Sequence, residues 1–350
     1  MSIADKPPRP RPFIIALTAA AVLAAAAVAA GGTARAATGK RNPGAGVVHT
    51  VTAAAQRAAH AFWTPSRMAA ATPLHGGPLH GSGPLHGSGP LHGGGGTGST
   101  AATTPAQSGG SAGSTTPGPA ATTPAPPPGT PTATQFSGVP TVGALFFTTG
   151  TVRHFCTASV VNSLTANLIL TAAHCVYSSS YASNIEFVPG YHDGQQPYGA
   201  WPVRTIVVAS GWQQSHDPDL DFAFGSVAPP SGTRLPIQLV TGGLWLGIDR
   251  GYDHPVEVIG YNNTDDRPVG CATKSFEFEA SQLEFYCHDF WDGTSGGPWI
   301  TRYDAARGTG TVIGVIGGYH EGGDYEWASY SPYFGLPTLE LFLLAEKQQA

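Results

Sequence analysis

The sequence LILTAAHC at residues 168–175 ends a strand-like apolar run on a histidine and a cysteine, and GTSGGP at residues 293–298 surrounds one serine with glycines. Between them, DLDFAF at residues 219–224 places two aspartates at the start of another apolar run. A serine hydroxyl becomes nucleophilic when a base takes its proton, and that base needs a buried carboxylate to orient it. The order His, Asp, Ser therefore indicates a catalytic triad.

Each motif also has a simpler interpretation. His174 is one of 13 histidines, an aspartate before an apolar run is often a turn cap, and a glycine-rich turn can be only a turn. Their combination favours catalysis, with Ser295 as nucleophile and either Asp219 or Asp221 as the carboxylate. The glycines permit a tight turn that directs the N–H groups of Gly293 and Ser295 at the oxygen that becomes negative during acyl transfer.

The sequence around these motifs predicts an all-β fold. From about residue 136, short apolar runs alternate with Gly, Pro, Asn and Asp, which is typical of strands joined by turns. The strand-like runs are residues 142–147, 157–161, 168–170, 185–188, 203–208, 256–259, 283–286 and 311–316. A helical pattern occurs only at residues 339–346. We expect a β-sandwich or a pair of barrels, followed by a short C-terminal helix.

The charge distribution divides the chain into two parts. Residues 1–136 contain eight Lys or Arg and one acid, a net charge of +7, whereas residues 137–350 contain nine bases and 21 acids, a net charge of −12. The acidic part carries the three motifs. Its charge argues against a basic nucleic-acid-binding domain, so no nucleic-acid partner is expected.

Residues 1–36 have the pattern of a secretory signal peptide. Lys6, Arg9 and Arg11 precede the apolar run at residues 13–30, and the small residues Ala34 and Ala36 flank Arg35, which predicts cleavage before Ala37. A retained membrane anchor is the alternative, but a run of mostly alanine inserts weakly. We therefore expect an exported protein that is not inserted in a membrane after cleavage, with residues 37–71 as a pro-segment.

The composition of residues 72–135 predicts a disordered linker. They include 28 Gly and Pro, and no Lys, Arg, Asp or Glu occurs between Arg67 and Arg153. The motif PLHG occurs four times in residues 73–93, followed by a Thr-, Pro- and Ala-rich stretch at residues 103–134 that is similar to a glycosylated stalk. The histidines could chelate a divalent metal, but a replicated spacer is the favoured interpretation.

The four cysteines are Cys156, Cys175, Cys271 and Cys287. An even number in an exported chain predicts two disulfides, for which three pairings are possible. A metal site with four cysteine ligands is the alternative. No two of these cysteines have CxxC spacing, so disulfides are favoured and no bound metal is expected.

The TAAHC and GxSGGP motifs resemble those of the chymotrypsin-like, or trypsin-like, serine endopeptidases, in the secreted bacterial (actinobacterial) branch that includes glutamyl endopeptidases. The resemblance covers about residues 137–345. It implies two six-stranded Greek-key β-barrels with the active site between them. It also implies His174 as general base, Asp221 rather than Asp219 as its partner, Ser295 as nucleophile, and a Cys156–Cys175 bridge beside the histidine. WTPSRM at residues 63–68 resembles a segment of the pro-regions of such proteases.

The sequence departs from the family around the substrate pocket. Counting back from Ser295, Asp289 falls at the position of a pocket carboxylate, but the position of Cys271 and Cys287 makes that register unsafe. Ile316, Gly317 and Gly318 occupy the place of the opposite wall, without the histidine of glutamyl endopeptidases. An Asp289 in the pocket predicts basic substrates, and an exposed Asp289 predicts apolar or small ones.

The residue before the nucleophile is Thr294 instead of the usual aspartate. A threonine offers no charge to a buried N-terminal ammonium, so we expect activation that does not require one defined N-terminus. Asp292 is the alternative partner for such an ammonium.

The sequence thus predicts a secreted, monomeric serine endopeptidase without a cofactor, acting on protein or peptide substrates. A surface protein that displays residues 37–135, or an inactive homologue that binds through the same cleft, are the alternatives.

Overall fold

The computed structural model describes residues 43–74, 124–263 and 265–348. The predicted signal peptide and the PLHG repeats, apart from the first Pro and Leu, lie outside these ranges. Among the described residues, no helix combines the length and apolarity needed to cross a membrane.

The described part of the chain consists mainly of strands. In chain order they are β1 (Gly46–Thr50), β2 (Thr72–Pro73), β3 (Thr134–Gln135), β4 (Val142–Thr149), β5 (Val152–Val161), β6 (Leu168–Thr171), β7 (Ser183–Pro189), β8 (Trp201–Ala209), β9 (Ala223–Val227), β10 (Trp245–Leu246), β11 (His254–Tyr261), β12 (Pro268–Glu279), β13 (Gln282–Tyr286), β14 (Pro298–Asp304), β15 (Thr309–Val315) and β16 (Ala328–Pro332). Every strand-like run of the sequence lies in one of them, except that Ile316 follows the end of β15.

The helices are short, apart from the first and the last. They are α1 (Ala53–Phe62), α2 (Pro65–Ala69), α3 (Ala173–Val176), α4 (Ser210–Ser215), α5 (Ile237–Thr241) and α6 (Leu336–Lys347). The C-terminal helix predicted at residues 339–346 is confirmed as part of α6, which begins with a proline in its first turn.

The first sheet closes into a barrel. Its order β8-β7-β4-β5-β6-β9 returns to the start because β8 also pairs with β9. The second sheet has the order β15-β14-β11-β12-β13-β16, which is the same arrangement of successive strands. Its last strand reaches back to the β15 end, where the Gly317 N–H donates to the Tyr330 carbonyl at 3.0 Å. The predicted all-β fold of two chymotrypsin-type barrels is confirmed.

Apolar side chains from the strands form the cores of the two sheets, and strands of the first barrel such as β4 and β6 are buried along almost their whole length. The larger core cluster is centred on the first barrel, with the fully buried Trp201, Phe187 and Phe224, and it extends to residues of the second sheet such as Ile300. A second cluster fills the other sheet around Trp299 and Phe285. These cores hold the strand ends, and therefore the loops that carry the motifs, in fixed positions.

The cysteines form two disulfides. Cys156 of β5 is bonded to Cys175 of α3, and Cys271 of β12 is bonded to Cys287, which follows β13. Of the three pairings that the sequence leaves open, the described structure contains this one. The first disulfide joins a barrel strand directly to the helix that contains His174.

Residues 43–74, which we call the N-terminal segment, pack on the first barrel. β1 pairs antiparallel with β8 over its whole length, from Gly46 opposite Ala209 to Thr50 opposite Thr205. Trp63 and Met68 are buried in a third apolar cluster together with Phe146. The segment thus adds two strands and two helices to the barrel.

Residues at both ends of the predicted linker, residues 72–135, pair with strands of the two sheets. Residues 72–74 include β2, and β3 pairs with β12 at the other end. Before β3, the His288 N–H donates to the Pro131 carbonyl at 2.8 Å. A proline-rich chain lacks donors but still offers carbonyl groups, so it can be held at the edge of a sheet.

Candidate active site

His174 lies in α3, which begins two residues after the end of the buried strand β6. Its Nδ1 is 2.7 Å from Asp221 Oδ2, and its main-chain N–H donates to Asp221 Oδ1 at 2.9 Å. Both side chains are buried, and Asp221 is fully inaccessible to solvent. The two bonds hold the imidazole in one orientation against a carboxylate.

Asp221 follows a short 3-10 turn, Pro218–Leu220, and precedes β9. Its Oδ2 also accepts the Gly318 N–H at 2.9 Å. A Cβ added at Gly317 would lie 3.0 Å from this same oxygen, so only glycine fits here without displacement. Gly317 and Gly318, predicted as pocket residues, therefore contact the Asp221 carboxylate.

Asp219, the other aspartate of the motif, has a different partner. Its Oδ1 accepts a hydrogen bond from Gln282 Nε2 at 2.7 Å, and its side chain is half-buried. The structure therefore places Asp221, and not Asp219, beside His174.

The surroundings of His174 change its basicity. Burial alone lowers the pKa of the imidazole, but the Asp221 charge, its hydrogen bond and the charge of Glu321 raise the pKa above its usual value. His174 Nε2 is buried, and it has no hydrogen-bond partner among the described residues. The imidazole is thus a base whose second nitrogen is not engaged.

Ser295 lies in a tight turn that is bonded to β5. Its carbonyl accepts the Thr157 N–H at 2.8 Å, and the Thr157 hydroxyl donates to the Gly293 carbonyl at 3.1 Å. Gly293 and Gly296 have positive φ angles of 93° and 80°, which glycine adopts without strain. A Cβ at Gly296 would collide with the Thr157 carbonyl and the Thr171 hydroxyl. The first barrel and the serine turn are therefore in direct contact.

The N–H groups of Gly293 and Ser295 are the predicted oxyanion donors. Neither donates a hydrogen bond to any residue that the structure describes. The following residues are engaged, since the Gly296 N–H donates to the Ile316 carbonyl at 2.7 Å and the Gly297 N–H to the Thr294 carbonyl at 2.8 Å. Two uncommitted main-chain donors in a fixed turn can stabilise a developing negative charge.

Thr294 is satisfied within the same turn. Its hydroxyl donates to the Trp291 carbonyl at 2.7 Å, and its N–H donates to that carbonyl at 3.2 Å. The side chain is almost fully buried and packs on Gly260. The turn therefore obtains internal hydrogen bonds at the position where the family places an aspartate.

A small cavity of about 20 Å³ lies beside Ser295. Its lining residues are Phe290, Trp291, Asp292, Thr294, Ser295, Ile316, Glu321, Gly322, Tyr325 and Ser329. A volume of this size holds about one water molecule. Two acidic residues, Asp292 and Glu321, are among those that line it.

Asp289 is not part of this cavity. Its side chain is exposed, and its main-chain N–H donates to the Glu326 carboxylate at 2.6 Å. Of the four residues predicted for the pocket, Ile316 alone lines the cavity beside Ser295.

Two residues that line cavities beside the triad residues were not expected from the sequence. Glu321 lines the cavity beside Ser295 and also a second cavity that contains His174. Leu74, the last described residue of the N-terminal segment, lines that second cavity too. Glu321 lies in a turn with left-handed backbone angles, φ 55°, outside the motifs of the sequence. Leu74 lies in the first PLHG repeat, which was interpreted as a spacer.

The order of the strands in the two sheets is that of the chymotrypsin-like fold. A sequence model of the Trypsin family matches residues 129–331, which is more than half of the chain, and the chain therefore belongs to this family.

Solved structures support the same fold. The protease Anisep from Arthrobacter nicotinovorans superposes with a TM-score of 0.55 at 22% identity, over 61% of this chain and 98% of that one. A Glu endopeptidase gives a TM-score of 0.50 at 18% identity, over 63% of this chain and 99% of that one. At these identities the likeness concerns the fold alone.

One curated relative matches locally. It is named extracellular metalloprotease, from Bacillus subtilis (strain 168), and is 36% identical over 69 residues. The match spans 19% of this chain and 21% of that protein, so the chain is similar to about a fifth of that relative's length.

Proposed function

We propose that this protein is an exported serine endopeptidase that cleaves peptide bonds through His174, Asp221 and Ser295. The observation that carries the proposal is the buried His174–Asp221 hydrogen bond of 2.7 Å. The turn that contains Ser295 contacts the same barrel, because the Ser295 carbonyl accepts a hydrogen bond from the Thr157 N–H.

In this mechanism Ser295 attacks the carbonyl carbon of the scissile bond while His174 takes the hydroxyl proton. The N–H groups of Gly293 and Ser295 stabilise the oxyanion. His174, held by Asp221, then gives the proton to the leaving amine, and the acyl-enzyme remains on Ser295. Water repeats the sequence and releases the acid, so the reaction needs no cofactor.

The relative's name raises metal-dependent hydrolysis as a second candidate. Among the described residues, one group of possible metal ligands is close enough together, and it consists of Cys156, His174 and Cys175. The two cysteines are joined in a disulfide and cannot supply thiolates. Since this group offers only the imidazole of His174 as a ligand, it does not support a metal site, and we favour the serine mechanism.

Export is supported by the N-terminal pattern of the sequence and by the two disulfides, which persist in oxidising compartments. We propose cleavage of the signal before Ala37, with residues from there to the start of the barrel as pro-segment and linker. The internal hydrogen bonds of Thr294 support activation that does not depend on one defined N-terminus.

The test is hydrolysis of an unfolded protein substrate, with the products identified by mass spectrometry. Products cut at internal bonds by the purified protein, and absent with Ser295→Ala, are expected. Release of single terminal residues only would contradict the endopeptidase assignment. Activity that survives Ser295→Ala and disappears with a chelator would favour the metal-dependent alternative.

A further inference from the structure

The N-terminal segment ends beside the active site. β2 pairs in parallel with β5, with Thr72 opposite His154 and Pro73 opposite Phe155. The Leu74 N–H then donates to the Phe155 carbonyl at 3.0 Å. The side chain of Leu74 lines the cavity that also contains His174.

The edge of β5 with which β2 pairs lies close to Ser295, the proposed nucleophile. β6 pairs with β5 at residues Ser159 to Val161, which leaves the earlier part of the same edge to β2. Two residues after Phe155, the Thr157 N–H donates to the Ser295 carbonyl at 2.8 Å. The aromatic ring of Phe155 itself packs against Gly293, one of the oxyanion donors.

This edge lies on the side where the leaving group departs. The amine that leaves receives its proton from His174, so the residues after the cleaved bond must lie next to His174. Phe155 is adjacent to Cys156, whose disulfide partner Cys175 follows His174. An extended peptide binds to such an edge through main-chain hydrogen bonds.

We propose that residues 72–74 occupy the edge of β5 on which the leaving-group half of a peptide substrate docks, so that the N-terminal segment is a built-in inhibitor of the proposed endopeptidase. It blocks extended peptides, whereas an ester with a small leaving group needs no contact with β5. The inference rests on the proposed function, because it concerns substrate access to the same site.

The segment is anchored away from this edge. β1 is paired with β8 throughout, and Trp63 packs against Phe146 with ring centroids 5.3 Å apart. His60 Nδ1 lies 2.7 Å from Glu186, a carboxylate that is fully inaccessible to solvent. Cleavage of the chain after Leu74 would leave all these contacts intact, so relief of inhibition requires loss of the segment itself.

The experiment compares two substrates with the same acyl residues, cleaved by the full chain. One continues for three residues after the cleaved bond, and the other is an ester with a small alcohol. Leu74→Pro removes the N–H that bonds to Phe155 and is expected to raise kcat/KM for the long peptide about 10-fold, with the ester rate unchanged. Leu74→Ala is the matched control, which keeps the N–H and should change the peptide rate less than about 3-fold.

Trp63→Ala loosens the segment through a different contact and should produce the same selective increase. Equal increases for both substrates, or no increase in either folded variant, would overturn the inhibitor role. Labelling of Ser295 by a small phosphonylating reagent separates the two proposals. A labelled Ser295 with an unchanged peptide rate removes only the inhibitor role, whereas an unlabelled Ser295 in every variant removes the proposed function and this inference with it.

Discussion

The two sheets have the same strand order and contribute different chemistry. The first contributes His174 and Asp221, which are buried and bonded to each other. The second contributes Ser295, the N–H groups of Gly293 and Ser295, which donate to none of the described residues, and the cavity lined by Asp292 and Glu321. The first barrel also carries the N-terminal segment.

This difference shows that the topology alone does not assign a role to either sheet. The roles come from the residues that follow the strand ends: α3 after β6, the turn before β9, and the glycine turn before β14. Changes in the first sheet should therefore alter proton transfer, and changes in the second should alter substrate choice. Changes in either sheet should lower activity equally where residues of both sheets take part in the same catalytic step.

The largest effect is expected where the sheets act as one unit. Ser295→Ala, His174→Ala and the double variant should each lower kcat by on the order of 10⁶, because a nucleophile without its base has no function. Steady-state hydrolysis of a peptide ester measures this, with thermal unfolding as a check of the fold. A double variant much slower than either single one would show that the residues act independently.

Within the first sheet, the two aspartates should differ sharply. Asp221→Asn is expected to lower kcat by about 10⁴, whereas Asp219→Asn, which alters a hydrogen bond to Gln282, should cost less than about 10-fold. The acid limb of the pH–activity profile should also shift to lower pH in the Asp221 variant, because the carboxylate that raises the pKa of His174 is gone. Equal losses at both positions would contradict the assignment.

The second sheet should control selectivity. We expect the side chain before the cleaved bond to lie against the cavity beside Ser295, whose lining includes the acidic residues Glu321 and Asp292. Peptides with Glu at this position should therefore be poor substrates, because like charges repel. Glu321→Gln is expected to raise kcat/KM for Glu relative to Ala substrates about 10-fold. Glu279→Gln, the same change at an exposed residue outside the cavity, is the control. A strong preference of the unmodified protein for Glu would contradict this description of the cavity.

The smallest effect concerns stability alone. Burial raises the pKa of Glu186 from 4.5 to about 7, although His60 opposes the shift. The folded state therefore binds more protons than the unfolded state in this window, and the free energy of unfolding falls as the pH rises through it. Glu186→Gln should remove up to about 3 kcal/mol of this fall between about pH 5 and pH 8, as measured by urea unfolding. An unchanged slope would show that Glu186 is not coupled to folding.

The sequence predicts the first barrel better than the second. All five apolar runs of residues 142–208 lie in strands of the first barrel, because buried strands are continuously apolar there. β12 was missed because its second half alternates exposed and buried residues among several charges, and β14 because it follows the serine motif directly. The order of the motifs predicts His174 and Ser295 as residues of the proposed site.

The remaining features depend on tertiary contacts that no local pattern signals. The alanine-rich α1 is held through His60 and the neighbouring Trp63, whose partners are more than a hundred residues away. Glu321 reaches both cavities from a turn with left-handed angles, which cannot be anticipated for a glutamate. Asp289 likewise has a positive φ of 67° and donates its N–H to Glu326, a contact between residues 37 positions apart.

The most direct test of the proposed triad is covalent labelling of the full chain by a small phosphonylating serine reagent, with the modified residue located by mass spectrometry. We predict one adduct per chain, on Ser295, formed faster as the pH rises through the raised pKa of His174. His174→Ala should abolish labelling in a protein that is still folded. An adduct on another residue, or a labelling rate that is unaffected by His174→Ala, would contradict the account.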